Sequence, residues 1–250
     1  MIERRDDGAV TILELRHRRA NALDVELLAG LEGALAAVER AGRAVVLTGS
    51  GGIFSAGVDL FRVLAGGAAY LDSFLPALDA ALRRLFAFPR PVVAAVNGHA
   101  MAGGWILACA CDYRVANLAA GKLGLPELQV GVAFPPIAVE TVRFATPPSQ
   151  LHALVFAGRT YSGEEALRGG LVEEAVAAEE VLPRATAVAQ RLAGVPAEAY
   201  RLTKEQLRAP TLERVAAAAK DAAAVHAQWA AADTALAIRG YMDRVVGKSR

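Results

Sequence analysis

Two stretches of this sequence could aim backbone donors at a reacting oxygen. Residues 45–60 read VVLTGSGGIFSAGVDL, and residues 92–111 read VVAAVNGHAMAGGWILACAC. Each begins as a short apolar strand, turns through small residues and continues as a helix or helix-like segment. Small residues let a backbone approach a ligand closely. The start of a helix leaves N–H groups unpaired and carries partial positive charge. Two such N–H groups converging on one oxygen make an oxyanion hole. The same glycines would also serve tight helix–strand packing, and the residues alone leave both readings open. Other turn chemistries are excluded. Gly98 and Gly103 have phosphate-loop spacing, but Gly104 and Trp105 stand where Lys and Ser/Thr are required. No Gly lies two residues before Ser55, so FSAGVDL is not a nucleophile elbow.

The remaining reactive side chains are sparse. His17, His99, His152 and His226 are scattered without metal-ligand spacing, so no metal is expected. His99 lies near the second turn, where a base and a hydrogen-bonded loop residue are both possible. Cys109 and Cys111 are two apart in an apolar run. On a helix such positions do not face each other, so both read as buried small hydrophobes.

These groups must be held by one sizeable core. The chain has 250 residues, 54% of them hydrophobic. Net charge is +1, from 27 basic and 26 acidic residues, which argues against a wide nucleic-acid footprint. The longest apolar run, Ala100 to Cys111, is too short to cross a bilayer. MIERRDDGAV lacks the apolar centre of a signal peptide and is too acidic for a transit peptide. A soluble cytoplasmic protein with no nucleic-acid or membrane partner is expected.

Val10 to Arg16 reads as a strand. Asp24 can cap a helix with the stripe Leu27, Leu28, Leu31, Leu35 and Val38. Ala44 to Thr48 and Val92 to Val96 read as strands buried on both faces, and Asp112 to Ala116 as a further strand. Leu75, Leu78, Leu82 and Leu85 mark a second amphipathic helix, stopped by Pro89 and Pro91. Val63 to Leu75, rich in Ala and Gly, reads as a mobile segment shaping a pocket. Ser162 and Glu165 fit a capping box. From Pro196 the pattern is helical. Val215, Ala219, Ala222, His226 and Trp229 form a narrow seam, and Ile238, Tyr241, Met242 and Val245 a second stripe.

FSAGVDL, AAVNGHAMAGGWILACACDYRVA and LGLPELQVGV, in that order, resemble the enoyl-CoA hydratase/isomerase (crotonase) family. SGEEALRGGLVEEAV and the helical tail extend the resemblance over nearly the whole chain. It implies an α/β fold, a crotonase-like spiral of strand–strand–helix turns with a C-terminal helical trimerisation region. Residues 1–195 would form the core with an acyl-CoA site, and 196–250 the oligomerisation region of a homotrimer or dimer of trimers. The family stabilises an enolate at a thioester carbonyl with two backbone N–H groups. Motif matching places these on Val58 and Gly103. The thioester partner brings its own CoA, so no separate cofactor is implied. Ala56, Gly57, Leu60 and Ala20 would contact substrate, and Asp59 either substrate or the helix start it precedes. Arg16, Arg18 and Arg19 would meet the CoA phosphates or form a solvated cluster, and Trp105 and Phe134 would line the acyl pocket or belong to the core.

Family hydratases carry two glutamates. One matches Glu127 in LGLPEL; the other matches Ile106, which cannot ionise. Water addition needs a polar pocket for water, whereas moving a double bond needs one carboxylate shuttling a proton. The resemblance therefore points to the Δ3,Δ2-enoyl-CoA isomerase branch. A hydratase or lyase with a substitute for the missing acid, and a non-catalytic acyl-CoA-binding homologue, remain as alternatives.

Overall fold

A computed structural model describes residues 1–119 and 121–246. The chain opens with β1 (Ile2–Asp7), β2 (Val10–Leu15) and α1 (Val25–Arg40). Three coils of strand, strand and helix follow. The first is β3 (Ala44–Gly49), β4 (Ile53–Ser55) and α2 (Leu60–Phe86); the second is β5 (Val92–Val96), β6 (His99–Met101) and α3 (Gly103–Ala110). The third is β7 (Tyr113–Asn117), β8 (Leu123–Gly124) and α4 (Glu127–Val130). Beyond them lie α5 (Pro136–Ala145), α6 (Pro148–Val155), β9 (Thr160–Tyr161), α7 (Gly163–Arg168), β10 (Glu174–Val176) and α8 (Val181–Ala193). The end is helical: α9 (Ala197–Ala217), α10 (Ala219–Ala230) and α11 (Ala232–Val246). Positions 247–250 of the C-terminal region lie outside the described residues.

Each coil contributes one strand to each of two sheets. The larger has the order β1-β2-β3-β5-β7-β10, parallel from β2 onward. The smaller has the order β4-β6-β8-β9. β3 and β5 are wholly buried, which explains the apolar runs Ala44–Leu47 and Val92–Val96. Val46, Val93 and Val115 pack with Val188 of α8 on one face, while Val45, Leu47 and Ala94 join the main core on the other. Asn97 ties the first two coils together: its amide donates to Gly49 O at 2.9 Å and its Oδ1 accepts from Gly49 N at 3.2 Å.

Three helix starts follow local rules visible in the sequence. Asp24 accepts from Leu27 N at 2.9 Å, and Asp59 from Arg62 N at 3.1 Å. Ser162 and Glu165 form the capping box. Two regions differ from expectation. Val63 to Leu75 is helical, because Leu71 and Phe74 bury in the core despite the glycines; non-helical Gly67, with φ 53°, kinks α2 there. The seam from Val215 to Trp229 is broken at Ala218 between α9 and α10. Of its five members only Val215 and Trp229 are buried.

Candidate active site

The three coils bring three equivalent points to one place. After β4, β6 and β8 the chain leaves the small sheet and starts a helix. Val58 precedes the α2 cap Asp59, Gly103 is the first residue of α3, and Glu127 the first of α4. All three line a cavity of about 500 Å³.

Backbone pairing decides where the Val58 N–H points. Leu23 N donates to Gly57 O at 2.7 Å, and Asp59 N donates to Leu23 O at 2.9 Å. In this parallel bridge Val58 itself lends neither polar group to Leu23, so its N–H faces away from that strand. Gly103 N begins a helix and has no intrahelical acceptor. Neither N–H donates to another group among the described residues.

The two turns are stacked backbone on backbone. Gly57 has φ +86°, and a Cβ there would fall 2.6 Å from Met101 O and 3.0 Å from Gly103 N. A Cβ on Gly104 would fall 2.4 Å from Ser55 O. Only glycine permits this approach. Ala102, between the strand and the helix, has φ +50° despite its Cβ. Such strain costs about 1–3 kcal/mol and gathers at functional sites. Asn21 anchors the first turn from outside, donating to Ile53 O at 3.0 Å, while Ser55 Oγ donates to Asn21 O at 2.7 Å.

Glu127 is 7% exposed, and its Oε2 is buried without a hydrogen-bond partner. Burial pushes its carboxyl up to about 8, against 4.5 for an ordinary glutamate. It is the only acid among the described residues lining the cavity. Ile106 lies one helical turn beyond Gly103, 3% exposed, in the same cavity wall. Phe134, Ala56 and Leu60 also line this cavity.

Other sequence candidates fall elsewhere. Trp105 is 1% exposed and absent from the cavity wall, so its reading as a pocket residue is corrected. Its neighbour Ile106 faces the cavity while the indole packs into the core. His99 is an exposed rim residue whose Nδ1 accepts from Lys122 N at 3.1 Å. Arg16 is held by Glu3 at 2.9 Å and Glu14 at 3.0 Å. Arg18 and Arg19, with Ala20 and Asp59, line a second depression of about 350 Å³. It shares Ala56, Val58 and Leu60 with the main cavity, so the two form a continuous track. Arg18 is 52% exposed in its side chain and lies 2.9 Å from buried Asp24, which His17 and Arg62 also contact. Cys109 and Cys111 are buried free thiols, both pushed up to about 12 by burial. No group of three or more His, Cys, Asp or Glu suited to a metal occurs among the described residues. None of the described helices is long and apolar enough to cross a membrane.

Sequence reading missed Tyr241 and Trp229 as cavity residues. Their spacing marks only a buried helix stripe, and nothing local says where that helix docks.

The fold agrees with what the chain resembles. The enoyl-CoA hydratase/isomerase family model matches residues 5–245. The chain belongs to this family. A carnitinyl-CoA dehydratase of Salmonella paratyphi A is 38% identical over 168 residues, 67% of this chain and 64% of that protein. The match thus spans just under two thirds of that curated relative. The human mitochondrial delta3-delta2-enoyl-CoA isomerase superposes with a TM-score of 0.93 at 26% identity, covering 100% of this chain and 99% of that one. An enoyl-CoA hydratase from Mycobacterium ulcerans gives 0.84 at 30% identity, covering 91% and 99%.

Proposed function

We propose that this protein moves a double bond in an enoyl-CoA thioester, from C3–C4 to C2–C3. The observation that carries this reading is the lone buried carboxylate of Glu127 facing an apolar wall that includes Ile106. The CoA portion follows the track from Arg18 and Arg19 past Ala56. The thioester oxygen sits between Val58 N–H and Gly103 N–H. Ionised Glu127 takes a proton from C2, and the electron pair moves onto the thioester oxygen as an enolate. The two N–H groups stabilise that charge. The enolate then collapses, the double bond shifts, and Glu127 returns the proton to C4. No water enters, and no atom is gained or lost.

The relative that is a carnitinyl-CoA dehydratase favours a second reading, water addition or removal by the same carboxylate. Ile106 supports the first reading, because an apolar side chain offers the water no hydrogen bond. Wild-type protein given a 3-enoyl-CoA and a 2-enoyl-CoA, with products resolved by mass, separates the two. An isomer of unchanged mass from the first and no hydration of the second supports isomerisation. Hydration of the 2-enoyl-CoA without any shift of the 3-enoyl-CoA would replace it. The oligomer, a homotrimer or dimer of trimers, is also a proposal. Leu207 of α9, 65% exposed, and Leu202, 44% exposed, suit such contacts; a monomer by light scattering counts against it.

A further inference from the structure

The buried Oε2 of Glu127 has no hydrogen-bond partner, yet a carboxylate that works as a base must spend part of each turnover ionised. The cavity wall contains few groups able to donate to it. Gln129 turns its amide to Ala157 O at 3.0 Å. His99 and Lys122 sit at the exposed rim. From α3, Cys109 feels the Glu127 charge but is a neutral buried thiol outside the cavity wall. Two hydroxyls remain in the wall, Thr160 on β9 and Tyr241 on α11.

The packing of α11 favours Tyr241. Gly131 ends α4 with φ +94°, and a Cβ there would fall 2.7 Å from the Cβ of Ala237. Ala237 lies one helical turn before Tyr241. Glycine at this position thus lets α11 settle directly on the helix that begins with Glu127. Tyr241 is half-buried and belongs to both the main cavity and the track leading from Arg18.

We propose that Tyr241 is a positioning residue for Glu127, its hydroxyl donating a hydrogen bond through one bridging water to the ionised carboxylate. The phenol suits that role. Burial pushes its own pKa above the ordinary phenol value, with the Glu127 charge adding to the effect and Arg244 opposing it. It therefore stays protonated while Glu127 titrates, as a donor and not a competing base. The inference rests on Glu127 being the base, but its direct test needs no substrate.

The test is a ¹³C NMR titration of glutamate-labelled protein, with the Glu127 signal identified by its loss in Glu127→Gln. Losing a hydrogen bond to the charged form should raise the Glu127 midpoint in Tyr241→Phe by about one pH unit, a tenfold weaker acid. Thr160→Val should leave it unchanged. Protein carrying 3-fluorotyrosine keeps the ring and strengthens the donor, so its midpoint should fall. In turnover, kcat/KM of Tyr241→Phe should drop about tenfold at neutral pH and recover above the raised midpoint. An unmoved midpoint in both the Phe and fluorotyrosine proteins, or a shift caused by Thr160→Val instead, would overturn the proposal. A shifted midpoint without turnover of any enoyl-CoA would uphold Tyr241 and remove the isomerase reading.

Discussion

Replacing Glu127 with Gln should make the protein increasingly more stable than wild type as pH rises. The carboxyl ionises at about 8 when folded, against 4.5 for the ordinary group. Between those values the folded chain holds a proton that the unfolded chain has released. Folding is favoured by this group below 4.5, and that advantage is lost as pH rises through the folded value near 8. Integrating the two titrations gives a penalty under about 1 kcal/mol at pH 5, about 3 at pH 7 and between about 4 and 5 at pH 9. Glutamine carries no such penalty. Its buried amide costs as much as other unpaired amides, about 1–3 kcal/mol, but that cost does not change with pH. The difference between pH 9 and pH 5 therefore isolates the charge. Urea unfolding of both proteins at fixed concentration should show the variant gaining about 3–4 kcal/mol on wild type across that interval. Parallel stability curves would refute the argument, because they would mean that Glu127 ionises normally in the fold.

Other substitutions test the frame around this carboxylate. Gly57→Ala places a Cβ 2.6 Å from Met101 O at φ +86°; it should cost about 1–3 kcal/mol by thermal unfolding, with a larger proportional loss of kcat. Ile106→Glu puts a like charge in the same cavity, so the pH–rate profile of kcat/KM should move to still higher pH. An unmoved profile would place position 106 too far from Glu127 to matter. Asp112→Ala removes the carboxylate that holds Lys204 at 2.8 Å and Arg208 at 2.6 Å, leaving two buried cations. It should cost about 3–5 kcal/mol in urea unfolding while leaving the Glu127 titration in place.

Much of the frame was legible because it is local. Asp24, Asp59 and Ser162 act on backbone groups three residues away, and buried strands such as Val92 to Val96 declare themselves by composition. Val58, Gly103 and Glu127 were reached by motif resemblance, and the geometry gives that resemblance a reason: each follows a strand of the small sheet. Those strands, two or three residues long, are too short for any periodicity. The helical state of Val63 to Leu75 was hidden because Gly66 and Gly67 argue against a helix that tertiary burial of Leu71 and Phe74 enforces. Trp105 stayed open between pocket and core because pattern alone cannot separate the cavity face of a wholly buried helix from its core face. Tyr241 depends on contact between α11 and Gly131, more than a hundred residues away in sequence.

In the proposed mechanism one buried carboxylate moves the proton. The most direct test compares wild type with Glu127→Gln on a 3-enoyl-CoA, following formation of the conjugated thioester. Losing the base should lower kcat by about 10²–10⁴, with binding of a saturated acyl-CoA retained. Wild-type kcat/KM should rise with pH through a midpoint near 8. Turnover in the glutamine variant equal to wild type would contradict the account.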